Sequence, residues 1–295
     1  MRLVQKNDEL THIVAAWRAE GKIIGLVPTM GWFHQGHLSL MEMAGSKADK
    51  VVVSLFINPI QFGQGEDLST YPYDLGRDMR LAEKTGVDLL FAPAVADIYP
   101  AGFQTCVSLK KLTQGLCGAS RSGHFDGVAT VVAKLFNLVQ PHLAIFGEKD
   151  YQQLAVIRQM VKDLNFNLEI FGHPIVRESD GLAMSSRNSY LNKEERQHAL
   201  CLYTSLQYAK VQVKKAGSKL PVATLTEEVR RIINATPTCA VDYVEIVDKE
   251  TLLPSEYIEK NSLMALAVKI NNRVRLIDNA LLDPQEGALP DKKLK

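Results

Sequence analysis

One stretch constrains this chain more than any other: Val27-Pro28-Thr29-Met30-Gly31-Trp32-Phe33-His34-Gln35-Gly36-His37-Leu38-Ser39-Leu40. Residues 22–26 before it form an apolar run that reads as a buried strand, and Leu38, Leu40, Met41 and Met43 read as the first turns of a helix. The sequence therefore predicts a strand, a glycine-broken turn and a helix start in close succession. A helix N-terminus offers orphan N–H groups and the positive end of the helix dipole. His34 and His37, with Gly36 between them, stand where such an end would hold an anion such as phosphate. Packing or solvation alone also explains a histidine beside an apolar helix. The context favours a site, because a nucleotide pocket at the C-terminal edge of a parallel sheet requires strand, turn and helix in this order.

The alternation continues downstream. Residues 8–20 carry Leu10, Ile13, Val14 and Trp17 at helical spacing, with Gly21 as the expected cap, so a helix precedes the first strand. Residues 50–57 are a β-branched run that reads as a second central strand, buried on both faces as parallel strands are. A helix over 75–85 and a strand over 87–91 complete a βαβαβ start, followed by an apolar helix over 128–138, a strand over 143–146 and a further helix. The fold class is α/β: a Rossmann-like doubly wound parallel sheet with a smaller α+β C-terminal domain. Beyond Asn192 the pattern changes to helices over 193–215 and 221–235, then strands over 241–247, 263–270 and 273–278. We place the domains at 1–176 and 177–284, with a polar tail over 285–295.

Length supports that division, since single cores stop growing near about 250 to 300 residues and this chain has 295. Lys plus Arg total 34 against 33 for Asp plus Glu, so the balance suggests neither nucleic acid nor an anionic membrane as partner. Cys106, Cys117, Cys201 and Cys239 are scattered without a Cys-x-x-Cys pair, which argues against a zinc site or a disulfide framework. With no apolar leader and no run of about 18 apolar residues, the expectation is a cytoplasmic protein.

Three further segments carry chemistry. Residues 60–72 hold polar side chains among glycines and prolines and read as a loop, either a wall over a ligand or a solvated connection. Gly147-Glu148-Lys149-Asp150 repeats the opening logic of strand, glycine turn and helix. Lys149 suits phosphate there, and Asp150 suits ribose hydroxyls or Mg²⁺, or merely caps the helix. Ser185-Ser186-Arg187 offers two hydroxyls and a guanidinium, a phosphate-binding set that is a weak signal alone. Another loop, 115–127, sets Arg121 and His124 among glycines that permit close approach to a ligand.

Taken in order, Pro28-Thr29-Met30-Gly31 with His34-Gln35-Gly36-His37, Phe146-Gly147-Glu148-Lys149-Asp150-Tyr151-Gln152-Gln153, and Asp180-Gly181-Leu182-Ala183-Met184-Ser185-Ser186-Arg187-Asn188 closely resemble the pantoate and β-alanine ligases. These belong to the wider group of nucleotidylyltransferases with a His-x-Gly-His turn. Asn58-Pro59, Gln61-Phe62-Gly63, Arg121 with 123–128, and 241–245 extend the resemblance over nearly the whole chain.

The resemblance implies an ATP-dependent, two-step ligation. Pantoate's carboxylate attacks the α-phosphate and releases pyrophosphate; β-alanine's amine then displaces AMP to give pantothenate. It implies that Met30, Gly31, Trp32, Phe33, His34, Gln35, Gly36, His37, Gly147, Glu148, Lys149, Asp150, Val176, Met184, Ser185, Ser186 and Arg187 bind ATP. His34, His37, Lys149 and Arg187 would be catalytic, with His37 the favoured acid. Gln61 and Gln153 would bind pantoate, and Gln61 also β-alanine, each amide donating to one group and accepting from another. A Mg²⁺ held mainly by the phosphates of ATP, and a homodimer, are further implications; no protein metal ligands are expected. A dimer interface at 131–138 or at the second strand is one reading of those apolar residues, a buried core the other. Where the family often has a pair of acids this chain has Arg77 and Asp78, and Trp32-Phe33 replaces the usual small residue and leucine, which suggests a tighter adenine side. The alternative activity is that of another nucleotidylyltransferase.

Overall fold

The computed structural model describes residues 1–216 and 220–284, so the tail expected over 285–295 lies outside the described residues. The chain forms two compact units, one of Met1–Glu178 with Met184–Ser186, the other of Ser179–Ala183 with the chain from Arg187 onward.

In chain order the first unit contains β1 (Arg2–Val4), α1 (Asn7–Ala19), β2 (Ile24–Thr29), α2 (Gln35–Gly45), β3 (Lys50–Leu55), α3 (Leu75–Lys84), β4 (Leu89–Phe91), α4 (Val95–Ile98), α5 (Leu116–Ser120), α6 (His124–Val139), β5 (Leu143–Gly147), α7 (Tyr151–Asp163) and β6 (Glu169–His173). The six strands pair in parallel in the order β1-β4-β3-β2-β5-β6. The doubly wound α/β expectation is borne out. One expectation is corrected: β1, not α1, opens the chain, with Arg2 to Val4 registered against Leu89 to Phe91 at the sheet edge.

The period-two alternation of strand side chains explains why both sheet faces carry helices. Ile24, Leu26, Val52, Ala144 and Phe146 point to one face and pack with Leu10 and Val14 of α1, the apolar side of α6, and Leu154 and Ile157 of α7. Val27, Val51, Val53, Leu143 and Ile145 point to the other, against Leu40, Met41 and Ala44 of α2 and Ala82 of α3. Val131 and Val132 belong to the first of these cores, and residues 51–55 are the buried centre of the sheet. Both segments considered for a dimer interface are therefore core.

In the second unit α8 (Lys193–His198), α9 (Cys201–Ala216) and α10 (Val222–Asn234) precede an antiparallel sheet of β7 (Cys239–Asp248), β8 (Ser262–Ile270) and β9 (Val274–Leu282). Met264, Leu266, Val268 and Ile270 alternate toward Leu206, Ala209 and Val213 of α9 and Leu225, Val229 and Ile233 of α10. The helix expected over 193–215 is thus two helices. A capping box starts α8, where the Asn192 N–H donates to Glu195 Oε2 and the Glu195 N–H donates to Asn192 Oδ1, each at 2.9 Å. The scattered cysteines also partly meet: the Cys201 thiol donates to Cys239 Sγ at 3.6 Å, both remaining free thiols.

Candidate active site

From β2 the sheet runs through β3 to β4 on one side and through β5 to β6 on the other. Such a switch point leaves a crevice at the carboxyl ends of the two central strands, because their connections leave in opposite directions. The histidine turn leaves β2 here and Gly147-Glu148-Lys149-Asp150 leaves β5, so two segments over a hundred residues apart in sequence become neighbours. Pro28, near the exit of β2, has no N–H for the ladder, and the Thr29 hydroxyl donates to the Ser54 carbonyl at 2.7 Å.

The turn itself is strained. Gly31 has φ of 89° and Trp32 φ of 52°, and for a residue with a bulky side chain this left-handed backbone costs on the order of 1–2 kcal/mol. Asp78 of α3 holds it. Its carboxylate is fully buried and accepts the Trp32 N–H at 2.6 Å and the Phe33 N–H at 2.8 Å. Burial pushes the Asp78 carboxyl up from its ordinary range, against the downward pull of those two N–H groups and Arg77. Phe33, expected among the ATP ligands, is itself fully buried in the core beneath α2, so its side chain anchors the turn instead of lining a ligand surface.

Helix α2 begins one turn earlier than the apolar pattern suggests, with His34 as its N-cap. His34 Nδ1 accepts the Gly36 N–H at 3.1 Å, and His37 Nδ1 accepts the His34 N–H at 3.4 Å. The backbone N–H groups of His34 and Gly36 are thus satisfied by the imidazoles themselves. The δ nitrogens being acceptors, each ring carries its proton on Nε2. The rings lie 4.1 Å apart between centroids. Burial, then Lys149, pushes His34 down to about 4, and burial, His34 and Lys149 hold His37 well below the ordinary histidine range. At neutral pH both rings are therefore neutral, each with one N–H to donate.

Lys149 Nζ lies 3.8 Å from Asp150 Oδ2 at the mouth of β5, and its charge reaches both histidines. Gly147, Glu148 and Asp150 sit with it in the short turn before α7. The Met184 N–H donates to the Val176 carbonyl at 3.0 Å, which joins two residues expected at adenine, and Ser186 Oγ donates to the Trp32 carbonyl at 3.4 Å. Ser185 shares this short segment of the first unit. Gln35 is exposed on α2, and Met30 Sδ accepts from Gln61 Nε2 at 3.2 Å. Arg187 belongs to the second unit and is described only as part of the turn Ser186–Tyr190.

Gln61 is buried on the short turn Pro59–Gln61, and its orientation is set by Asn58, to which the sequence reading gave no role of its own. Asn58 Nδ2 donates to the Gly127 carbonyl at 3.1 Å and to Gln61 Oε1 at 3.0 Å, while Asn58 Oδ1 accepts from the Tyr99 hydroxyl at 2.8 Å. The Gly127 carbonyl can only accept, so the relay fixes both amides. Gln61 therefore presents its Nε2 as the donor toward Met30 and its Oε1 to Asn58. Gln153 is half-buried at the start of α7, beside Gln152, whose Nε2 donates to the Leu112 and Gly115 carbonyls at 2.8 and 2.9 Å. The 60–72 loop is tied down: the Arg121 guanidinium grips Glu66 at 2.6 and 2.5 Å, and His124 joins Arg121 at 3.0 Å to the Gln61 carbonyl at 2.8 Å.

Fold and site together define a doubly wound α/β protein with paired neutral histidines and a lysine at its switch point. A family model for pantoate-beta-alanine ligase matches residues 2–281. A pantothenate synthetase from Geobacter sulfurreducens is 53% identical over 286 residues, 97% of this chain and 100% of the relative. One from Heliobacterium modesticaldum is 53% identical over 96% of this chain and 100% of its own length. A pantothenate synthetase structure from Thermus thermophilus matches with a TM-score of 0.90 at 47% identity, covering 96% and 100% of the two chains. A Francisella tularensis pantoate-beta-alanine ligase, solved with beta-gamma ATP and beta-alanine, matches with a TM-score of 0.81 at 35% identity over 95% and 97%. The chain belongs to the pantoate-beta-alanine ligase family.

Proposed function

We infer that the cluster at the switch point carries out the AMP-forming condensation of pantoate with β-alanine, the reaction for which the family is named. The observation that carries this reading is the pair of neutral imidazoles, each with Nδ1 engaged by a backbone N–H and Nε2–H available to donate, with Lys149 at the adjoining strand end. Adenylation needs neutralisation of charge on phosphate more than covalent help, and preorganised donors supply it without reorganisation during the reaction.

In the first step a pantoate carboxylate oxygen bonds to the α-phosphorus of ATP while the bond to the bridging oxygen breaks and pyrophosphate departs. His34 and His37 donate Nε2–H to the α-phosphate oxygens, and Lys149 balances the charge that accumulates there. Losing one such donor costs about 3–4 kcal/mol of barrier. By the resemblance, Ser185, Ser186 and Arg187 take the leaving pyrophosphate, and Gly147, Asp150, Val176 and Met184 take ribose and adenine. Gln61 Nε2 and Gln153 orient pantoate and leave its carboxylate free to attack. In the second step β-alanine's neutral amine bonds to the acyl carbon, the acyl–oxygen bond breaks so that AMP leaves with the bonding pair, and the nitrogen releases one proton to solvent.

Of the acids whose charge reaches the turn, Asp78 is committed to backbone N–H groups, while Asp150 is about half exposed. This suits a Mg²⁺ carried mainly by the phosphate oxygens of ATP; the ion would lower the charge on the departing pyrophosphate. We further place the enzyme in the cytoplasm as a homodimer, as the resemblance implies; no helix among the described residues is long and apolar enough to cross a membrane. Sedimentation tests the dimer.

The deciding experiment supplies purified protein with ATP, Mg²⁺ and pantoate, with and without β-alanine. The ligase releases AMP in proportion to β-alanine. A nucleotidylyltransferase leaves AMP on its product, and formation of ADP overturns the reading.

A further inference from the structure

The residues Arg77 and Asp78 stand outside the phosphate-binding set, yet both close on the two residues that precede His34. Three kinds of contact converge there. Asp78 accepts the N–H groups of Trp32 and Phe33, one on each carboxylate oxygen. Arg77 donates through Nη1 to Asp78 Oδ1 at 3.1 Å and through Nη2 to the Phe33 carbonyl at 2.7 Å. Its guanidinium also lies 4.8 Å from the centre of the Trp32 ring, within cation–π range. A planar fork can do all this at once; an ammonium cannot.

We propose that Arg77, Asp78 and Trp32 form a clasp that positions His34 and His37 for adenylation, with Arg77 and Asp78 as positioning residues of the reaction. The proposal rests on the reading of the histidine turn given above. Its physical basis is the left-handed backbone at Gly31 and Trp32. Such a conformation persists only where surrounding structure over-determines it. The core fixes Phe33 on one side, and Leu40, Met41 and Ala44 fix the body of α2 on the other. Between them the peptide groups of Trp32 and Phe33 depend on the clasp. Because His34 Nδ1 and His37 Nδ1 bond to backbone N–H groups two and three residues away, a shift of this segment moves both rings together.

The composition of the clasp makes Trp32 and Arg77 one unit beside Asp78. A tryptophan at position 32 gives Arg77 a ring to stack on, and an arginine at position 77 gives that ring a cation, where a second acid would instead sit beside the buried Asp78 carboxylate. Trp32 in this arrangement is a partner of Arg77, not simply a tighter wall for adenine.

The test uses Arg77→Gln, whose side chain is about one-third exposed and whose loss leaves the core packing alone, alongside Asp78→Asn. Pantoate-dependent exchange of pyrophosphate into ATP reports adenylation. We expect kcat for exchange to fall at least tenfold in both variants, with KM for pantoate changed less than twofold. Arg77→Lys should recover only part of the loss, since it restores charge without the fork. A Trp17→Phe background leaves Trp32 as the one tryptophan, the chain having two, so its fluorescence reports the clasp directly. Arg77→Gln should shift that emission and raise its quenching by acrylamide. A folded Arg77→Gln protein with kcat within twofold of the parent and unaltered Trp32 emission overturns the proposal. If Asp78→Asn fails to fold, Arg77→Gln alone decides. Full exchange by His37→Ala would instead overturn the adenylation reading itself, so the two failures are distinct.

Discussion

Gly127→Ala sets two effects of known size against each other. Gly127 lies in the first turn of α6, where alanine normally gains about 1 kcal/mol over glycine in helix stability. A Cβ there, however, would stand 2.7 Å from Gln61 Cα, from Gln61 N and from the Ile60 carbonyl oxygen. Ordinary carbon contacts begin near 3.5 Å, so the Pro59–Gln61 turn must retreat by about 0.8 Å, and the obstacle is backbone that cannot rotate away. Overpacking of this kind costs about 1–3 kcal/mol, which offsets or exceeds the helical gain. The larger consequence is catalytic. The retreat carries Gln61 with it and breaks the registry in which Asn58 bridges the Gly127 carbonyl and Gln61 Oε1. Misplacing a substrate-positioning group by about 1 Å costs on the order of 10²-fold, or about 2.7 kcal/mol of barrier. We expect kcat/KM for pantoate, read as AMP release at saturating ATP and β-alanine, to fall about 10²-fold while KM for ATP stays within twofold. Thermal denaturation in parallel separates folding from catalysis. A variant with a raised Tm and an unchanged kcat/KM for pantoate would refute the reasoning, because it would show that the helix term prevails and that Gln61 does not set the pantoate geometry.

Three further outcomes follow from the site. Gln61→Glu keeps the shape but replaces the N–H donor with a charged acceptor, so pantoate kcat/KM should fall at least tenfold; equal kinetics would show that the amide does not donate to pantoate. Lys149→Gln removes the second-largest influence holding His34 down to about 4, so its titration, followed by NMR, should move upward while adenylation collapses; an unmoved titration would place Lys149 away from the imidazoles. The pKa of His34, and equally of His124, is lowered on folding, so the unfolded chain binds more protons as pH falls from the ordinary 6.5 toward 4. Their contribution is fully present above 6.5 and is lost on acidification through that window, so the urea midpoint should decline between pH 7 and 5; a flat profile would exclude two buried neutral histidines.

The fold was legible wherever a segment had to bury both faces. Lys50-Val51-Val52-Val53-Ser54-Leu55 has no other economical use than a central strand, and it is one. What escaped was short or non-local. β1 has three residues, too few for any periodicity, and exists because Asp88 and the β4 backbone receive it from across the sheet. The break between α8 and α9 carries no glycine or proline. It is set from a distance: the α8 cap residue Glu195 also takes hydrogen bonds from Asn271 at 2.6 Å and Arg273 at 2.9 Å.

The site divides along the same line. Some of the residues expected to bear the chemistry announce themselves by type, so His34, His37 and Lys149 could be picked from the string while Gln61 came only through the resemblance, and the switch-point topology then explains why the histidine turn and Lys149 meet. Residues that determine how those groups behave carry no such signature. Asn58 acts through an amide orientation, Gly127 through an absent Cβ, and Asp78 through two N–H groups 45 and 46 residues earlier in the chain. Even the protonation of the histidines was open in sequence, since the same helix start could hold a cation or a neutral ring. Burial decides it: desolvation, with Lys149 beside them, keeps both rings neutral, and the backbone bonds to Nδ1 then leave a single place for the proton. The polarity of the turn is consequently set by the fold itself, with both rings presented as neutral donors.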